Sequence, residues 1–274
     1  MKKLFNLEKI KALSYPPFKT LMIIHFLLFF LVILVVSQLH FTIPGFSIKG
    51  LYQFPNIWEF FPWVASWFNI FLTIVLITLV GNEFAYKTFR QNVIDGLDRT
   101  DLIKGKLIMI LTVALYTFIM VLVAILIFGL IFSKDFSFTI IFENSYLILI
   151  YFVQAIGYMT LGLLFAILFR NTALSIILFL VYFPIEGIIR LFFKAEFRAY
   201  FPIKIISNLT PRPEFLTMTS EKSYTNASGT SSLDLSEIGI VPENLPLGIT
   251  VVLAAGYIGF FIALSTILLK RKNL

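Results

Sequence analysis

The chain has 274 residues, of which 59% are hydrophobic and only 14% are charged, with a net charge of +7 and no cysteine. Ordinary soluble domains carry about 25% charged residues, and a soluble core of this length could not enclose so much apolar surface. The lack of cysteine excludes disulfides, thiol catalysis and cysteine-ligated metal. The composition therefore predicts an all-α integral membrane protein.

Six apolar runs are long enough to cross a bilayer, which takes about 20 residues for about 30 Å of hydrocarbon. The predicted spans are residues 20–39, 62–82, 104–133, 145–169, 171–190 and 246–269. Lys and Arg concentrate in residues 2–19, 87–106 and 270–272, which fall on one side of a six-span arrangement. By the positive-inside rule, both termini are expected in the cytoplasm. The positive charge thus indicates orientation and not nucleic-acid binding.

The segments outside the spans carry weaker patterns. Residues 1–18 fit a basic interfacial helix as well as a frayed tail that only sets orientation. The first apolar run is too long for a cleaved signal peptide, so it is expected to stay as a membrane helix. Trp58, Trp63 and Trp67 predict an aromatic belt at the outer interface.

Residues 191–245 are predicted to form a large extracellular loop. Its first part, residues 191–206, mixes aromatic and basic residues and fits an interfacial or re-entrant helix. The following stretch, residues 207–236, is rich in Ser and Thr and is expected to be an exposed loop.

Residues suited to catalysis, metal binding or nucleotide binding are scarce in this chain. His25 and His40 lie too far apart along one helix to share a metal, and the chain has neither a hydrolase motif nor a phosphate-binding Walker motif. We therefore expect no catalytic residue, no metal and no cofactor on this chain. Glu186 is the one charge well inside a span, and Arg190 follows at i+4. The two residues are candidates for a polar point on a substrate path or, as the favoured interpretation, for an interfacial ion pair.

The most informative segment is the basic loop after the second span. Gly96 predicts a break between two helical pieces, and Asp98 or Thr100 is suited to cap the second piece, with Asp101 in its first turn. We expect a short amphipathic helix under the membrane, a turn and then the long third span. Such an element is what a cytoplasmic motor would push on, although a solvated loop that obeys the positive-inside rule fits equally well.

In this segment the chain resembles permease subunits of the ABC-2 family of ABC exporters, whose architecture is described as type V exporter-like. The residues that carry the resemblance are Glu83, Thr88, Arg99 and Lys106, at the end of the second span and around the third. The motif covers residues 83–106, and the six-span order with its large fifth–sixth loop extends the similarity. Lys87 departs from the pattern, because many members have Gly there.

The resemblance implies a permease subunit that has no nucleotide site of its own and exports an amphipathic, peptide, lipid or drug-like substrate across the bacterial cytoplasmic membrane. Two copies of an ABC ATPase, with ATP and Mg²⁺, would dock below it, and a second permease chain would complete a homo- or heterodimer among the membrane lipids. The N-terminal helix would lie at the same ATPase interface. Residues 83–101 would form the coupling segment. The implied ATPase-coupling residues are Glu83, Thr88, Arg90, Asp98, Arg99 and Lys106.

Small residues repeat every four positions at Ala255, Gly259 and Ala263 in the sixth span, and at Gly162 and Ala166 in the fourth. Such faces allow helices to approach closely, within one chain by default or at a dimer seam. Two other functions stay open. The chain could be a membrane scaffold or assembly factor that transports nothing, or an ion-driven carrier or channel, which the lack of midplane charge disfavours.

Overall fold

The computed structural model describes residues 2–39, 42–43, 46–133, 137–210, 213 and 245–271. A short hairpin pairs β1 (Thr42–Ile43) with antiparallel β2 (Phe46–Ser47), and a 3-10 turn follows at Ile48–Tyr52. The remaining regular structure among these residues is helical. The helices are α1 (Lys2–Ser14), α2 (Pro16–Gln38), α3 (Ile57–Trp67), α4 (Asn69–Ala85), α5 (Thr88–Ile94), α6 (Arg99–Phe132), α7 (Phe138–Phe142), α8 (Leu147–Phe169), α9 (Thr172–Leu191), α10 (Ala195–Arg198), α11 (Pro202–Ser207) and α12 (Leu247–Arg271).

Five helical stretches in the described part of the chain are long and apolar enough to cross a membrane. They are α2, α6, α9, α12 and the stretch Phe138–Phe169 that contains α7 and α8. Helices α3 and α4 pass the same test together, but they are bent by 41° at a short break. Counted as one bent span, they bring the number to six. These helices indicate a multi-pass membrane protein.

Helix α8 lies at the centre of the bundle and contacts α4, α6, α9 and α12. Gly162 makes the close approach to α4 possible, because a Cβ at this position would overlap the Thr73 side chain. The small-residue face predicted on the fourth span therefore packs within the chain. The matching expectation for α12 is wrong for a single chain. Its residues Ala255, Gly259 and Ala263 are exposed, and a Cβ at Gly259 would meet nothing within 4 Å.

The two ends of the bundle are built differently. Helix α1 packs on α6, and the Arg99 guanidinium at the start of α6 donates to the Lys270 carbonyl at the end of α12 (2.6 Å). We call this the α5 end, and the opposite one, with α3, α7 and α11, the α11 end. With 34 residues, α6 is about 51 Å long and exceeds the hydrocarbon thickness.

Several predictions need correction. The second span does not start at residue 62, because the preceding residues from Ile57 onward are already helical in α3. Trp58 is not part of an interfacial belt: it is buried, and its Nε1–H donates to the Ile141 carbonyl (2.7 Å). Trp67, by contrast, is 62% exposed. Of the two alternatives for residues 1–18, the structure shows a helix, because Lys2–Ser14 form α1, which packs on α6.

The expected outer helix at residues 191–206 is present as two short helices, α10 and α11. Ile203, Ile205 and Ile206 of α11 are buried, so this segment packs into the bundle. His40 and most of the predicted Ser- and Thr-rich loop, residues 211–212 and 214–244, lie outside the described residues.

Candidate functional site

The link between α4 and α5 turns at Lys87, whose backbone is left-handed (φ 56°, ψ 22°). A side chain is unfavourable in this conformation and Gly adopts it freely, which accounts for the Gly that the resemblance places here. Helix α5 ends at Ile94, and the chain turns at Gly96 (φ 93°). There the Gly96 N–H donates to the Val93 carbonyl and the Leu97 N–H donates to the Asn92 carbonyl. This pair of bonds is a Schellman motif. The predicted short helix, turn and long third span are confirmed, with Asp98 at the N-cap position of α6.

The inner face of α5 is fixed to the bundle by Phe89. This side chain is buried, and its ring centroid lies 4.5 Å from that of Phe84 and 5.5 Å from Lys106 Nζ. The Thr88 hydroxyl donates to the Glu83 carbonyl (3.2 Å), so the first residue of α5 is bonded back to the end of α4. Because of these contacts, α5 is a short rigid element and not a solvated loop.

Behind α5 lies a group of four charged side chains, which we call the ion cluster: Glu8, Lys11, Glu83 and Lys106. Lys106 Nζ lies 2.6 Å from Glu8 Oε2 and also contacts Glu83 Oε1. Lys11 Nζ lies 3.4 Å from each of the two carboxylates. Lys106 is 2% exposed, and a charge buried to that degree is tolerated when it is paired and hydrogen-bonded. The cluster is formally neutral and joins α1, α4 and α6.

Glycine at position 105 makes room for this arrangement. A Cβ at Gly105 would lie 3.1 Å from Glu8 Oε1, tighter than an ordinary van der Waals contact. Two adjacent residues at the end of the motif 83–106 thus act on the same carboxylate. Gly105 leaves space for the Glu8 side chain, and Lys106 binds it.

The predicted coupling residues are distributed over the surface and the interior of the α5 end. Glu83 and Lys106 meet in the ion cluster, where both side chains are buried, although Glu83 also lines a small recess beside α5. Thr88 is half-buried, and Arg99 donates to the Leu269 and Lys270 carbonyls of α12. Arg90 and Asp98 are exposed.

Sequence reasoning missed Glu8 and Lys11, which complete the ion cluster. Glu8 is the only acidic residue among residues 1–18, in a segment otherwise dominated by lysine. A lone carboxylate in a basic amphipathic helix is a signal that could have indicated an internal partner.

The outer face of α5 and its surroundings remain accessible. Tyr86 and Ile94 are 76% and 69% exposed. Beside them lies a recess of about 240 Å³, lined by Glu83, Phe84, Lys87, Phe89, Arg90 and Arg170. Burial, and to a lesser degree the nearby Arg99 guanidinium, lower the pKa of Arg170, as expected where cations are close together. This surface suits a partner that offers acidic and apolar side chains.

At the opposite end, α11 is held by side chains from two other helices. The Glu186 carboxylate of α9 accepts the backbone N–H groups of Ile203 and Lys204 (3.0 Å each). The Gln154 side-chain nitrogen of α8 donates to the Ile206 and Ser207 carbonyls (3.0 and 3.2 Å). Both ends of α11 thus have their free backbone groups satisfied.

These contacts give Glu186 a structural role that the sequence did not suggest, and the place of Glu186 and Arg190 on a substrate path stays a prediction. The ion pairs found between described residues do not include Glu186 with Arg190. Gln154 was missed, although it is the one amide side chain in residues 145–169, and a lone polar side chain within a span commonly has a specific partner.

No group of three or more His, Asp or Glu side chains in the described part of the chain is placed to hold a metal ion. His25 is buried among rings, with centroids 5.7–6.2 Å from those of Phe68, Phe71 and Tyr116.

Comparison with protein-family models gives no match for this chain, and comparison with curated proteins gives none either.

Proposed function

We propose that the chain is the membrane permease subunit of an ATP-driven exporter of the ABC-2 type. In this proposal an ABC ATPase docks on α5, and its closure on ATP moves the membrane helices. The observation that carries the proposal is the ion cluster, because it connects α1, α4 and α6 directly behind the exposed face of α5.

The mechanical argument starts from the cost of separating buried charges. Removing one partner of a buried ion pair typically costs about 3–5 kcal/mol, so the helices that share the cluster are expected to move together. Phe89 fixes α5 to the same place, and Arg99 extends the connection to the end of α12. A displacement of α5 would therefore reach three membrane helices and α1 at once. The coupling roles expected for Glu83, Arg99 and Lys106 are then internal, whereas Arg90 and Asp98 belong to the docking surface.

The remaining features of the proposal follow from charge and helix count. With α3 and α4 taken as one bent span, six spans place both termini at the α5 end, where Lys and Arg are concentrated. The positive-inside rule then puts this end in the cytoplasm and the α11 end outside a bacterial cytoplasmic membrane. The ATPase supplies ATP and Mg²⁺.

The second permease chain would contact the exposed small-residue face of α12. Ala255, Gly259 and Ala263 are exposed on the single chain, and a Cβ at Gly259 would meet nothing within 4 Å among the described residues. Small residues allow two membrane helices to approach closely. A homodimer or a heterodimer with a related chain fits this face.

Co-purification tests the proposal. Extraction in a mild detergent should retain a soluble subunit that contains Walker motifs and hydrolyses ATP. Arg90→Glu should weaken that association, because it reverses a charge on the docking surface, whereas Lys194→Glu at the exposed opposite end should not. If no ATPase is retained, or if both variants lose it equally, the proposal fails.

A further inference from the structure

A cavity of about 860 Å³ opens at the α11 end among α3, α4, α8, α9, α11 and α12. Its size falls within the usual range for small-molecule sites, about 300–1,000 Å³. Four aromatic side chains from three helices line the cavity, and we refer to them together as the aromatic wall: Trp63, Trp67, Tyr158 and Phe183. Arg190 also lines the cavity. The site therefore combines apolar aromatic surface with polar side chains and a positive charge.

Arg190 is not neutralised by a direct ion pair with its neighbour Glu186. Its Nε is buried and has no hydrogen-bond partner among the residues that the structure describes. Glu186 lies one turn earlier on the same helix, but both of its oxygens accept backbone N–H groups of α11. Because Arg190 also lines the cavity, a bound group that carries an anionic oxygen can accept a charge-assisted hydrogen bond from its guanidinium. The planar guanidinium fork matches phosphate and carboxylate oxygens.

We propose that this cavity binds an amphipathic anion. Its apolar body lies against the aromatic wall, and its phosphate or carboxylate accepts hydrogen bonds from Arg190. Among the charged residues that line the cavity, Arg190 and Lys204 outnumber Glu59, so the local charge favours an anion over a cation. The claim goes beyond the proposed function, because equilibrium binding to the full-length chain requires neither ATP nor an ATPase.

The test is a titration of the purified full-length chain in nanodiscs of zwitterionic lipid, with intrinsic fluorescence as the readout. Two of the three tryptophans of the chain, Trp63 and Trp67, line the cavity. Dodecyl phosphate should give a saturable change. Dodecanol lacks the phosphate and inorganic phosphate lacks the alkyl chain. Each should bind at least about ten-fold more weakly than dodecyl phosphate, because each loses either the charge-assisted hydrogen bond or the apolar burial.

Arg190→Gln should weaken dodecyl phosphate binding by about ten-fold or more. Arg198→Gln is the matched control, because Arg198 is an arginine at the same end whose side chain does not line the cavity. Ser66→Leu narrows the cavity from α3 without removing a charge and should also weaken binding. An unfolding temperature measured for each variant separates lost binding from lost folding.

A second arm identifies the source of the anion. If nanodiscs that contain phosphatidylglycerol compete with dodecyl phosphate, the natural ligand is a membrane lipid. If they do not compete, a soluble amphiphile is the ligand, and either result supports the site. Unchanged affinity in folded Arg190→Gln, or equal binding of dodecanol and dodecyl phosphate, would overturn the proposal.

Discussion

The two ends of this protein both bury charged side chains, but they satisfy them in different ways. At the α5 end, Lys106 contacts two carboxylates and Lys11 lies near both, so the ion cluster is closed and neutral. At the α11 end, Glu186 is bonded to the backbone of α11, and Arg190 keeps a buried Nε without a partner among the described residues. A closed cluster holds helices together, whereas an arginine that lines a cavity can bind an anionic ligand.

The largest expected effect comes from opening the closed cluster. Lys106→Met keeps the approximate length of the side chain but removes the cation that contacts both Glu8 and Glu83. The free energy of unfolding should therefore fall by about 3–5 kcal/mol. Lys104→Met is the control, because Lys104 is exposed and pairs only with Asp101 in the described structure. Thermal unfolding in detergent measures both variants. Equal unfolding temperatures would show that the cluster does not hold α1, α4 and α6 together.

A smaller effect is expected where Glu186 holds α11. Glu186→Gln removes the charge that accepts two backbone N–H groups, and a hydrogen bond to a charged group contributes about 1.5–3 kcal/mol. Hydrogen exchange of Ile203 and Lys204 should accelerate, while α5 exchanges as before. Glu196→Gln, at an exposed position of the same segment, serves as the control. Protection that survives in Glu186→Gln would mean that Gln154 alone holds α11.

The third prediction contrasts a closed helix contact with an open one. Gly162→Ile should destabilise the chain by about 1–3 kcal/mol, because the added side chain overlaps Thr73 on α4. Gly259→Ile adds the same atoms to an exposed face and should leave the stability of the single chain unchanged while it weakens self-association. Unfolding and crosslinking in membranes measure the two quantities. If Gly259→Ile still forms dimers, α12 does not lie at the proposed dimer interface.

The smallest effect concerns the turn before α5. Lys87→Gly relieves a left-handed backbone that costs a non-glycine residue about 1 kcal/mol, although the added freedom of the unfolded chain offsets part of the gain. Stability should stay equal or rise slightly, whereas Lys87→Val should lower it, since a β-branched residue tolerates this conformation poorly. A marked loss of stability in Lys87→Gly would show that the Lys87 side chain contributes more than the turn does.

The sequence predicted the elements whose cause is local. Long apolar runs predicted the membrane helices, and Gly96 with Asp98 predicted the break and the start of α6. It failed for features that depend on distant residues. Trp58 is buried because Ile141, far along the chain, accepts its N–H, and no local pattern indicates that partner.

In the candidate site, too, the sequence identified individual residues but not the partners that distant segments supply. Glu83 and Lys106 were identified from their positions in a motif, but their meeting with Glu8 requires α1 to fold back onto α6. The partners of Glu186 likewise come from α11, 17 and 18 residues away, and not from the next turn of its own helix. Helical spacing suggested Arg190 as the partner of Glu186. Spacing along one helix carries no information about the backbone N–H groups of α11, which bind the carboxylate instead.

The central claim is that the exposed face of α5 binds an ATPase, and a site-specific crosslink tests it most directly. The chain has no cysteine, so Ile94→Cys, at a position 69% exposed on α5, introduces a unique attachment point for a photo-crosslinker. Phe138→Cys, at a position 78% exposed on α7 at the opposite end, is the control. In native membranes, Ile94→Cys should give an adduct with a protein that contains Walker motifs, and Phe138→Cys should not. An α5 adduct without such a protein, or the same adduct from both positions, would contradict the claim.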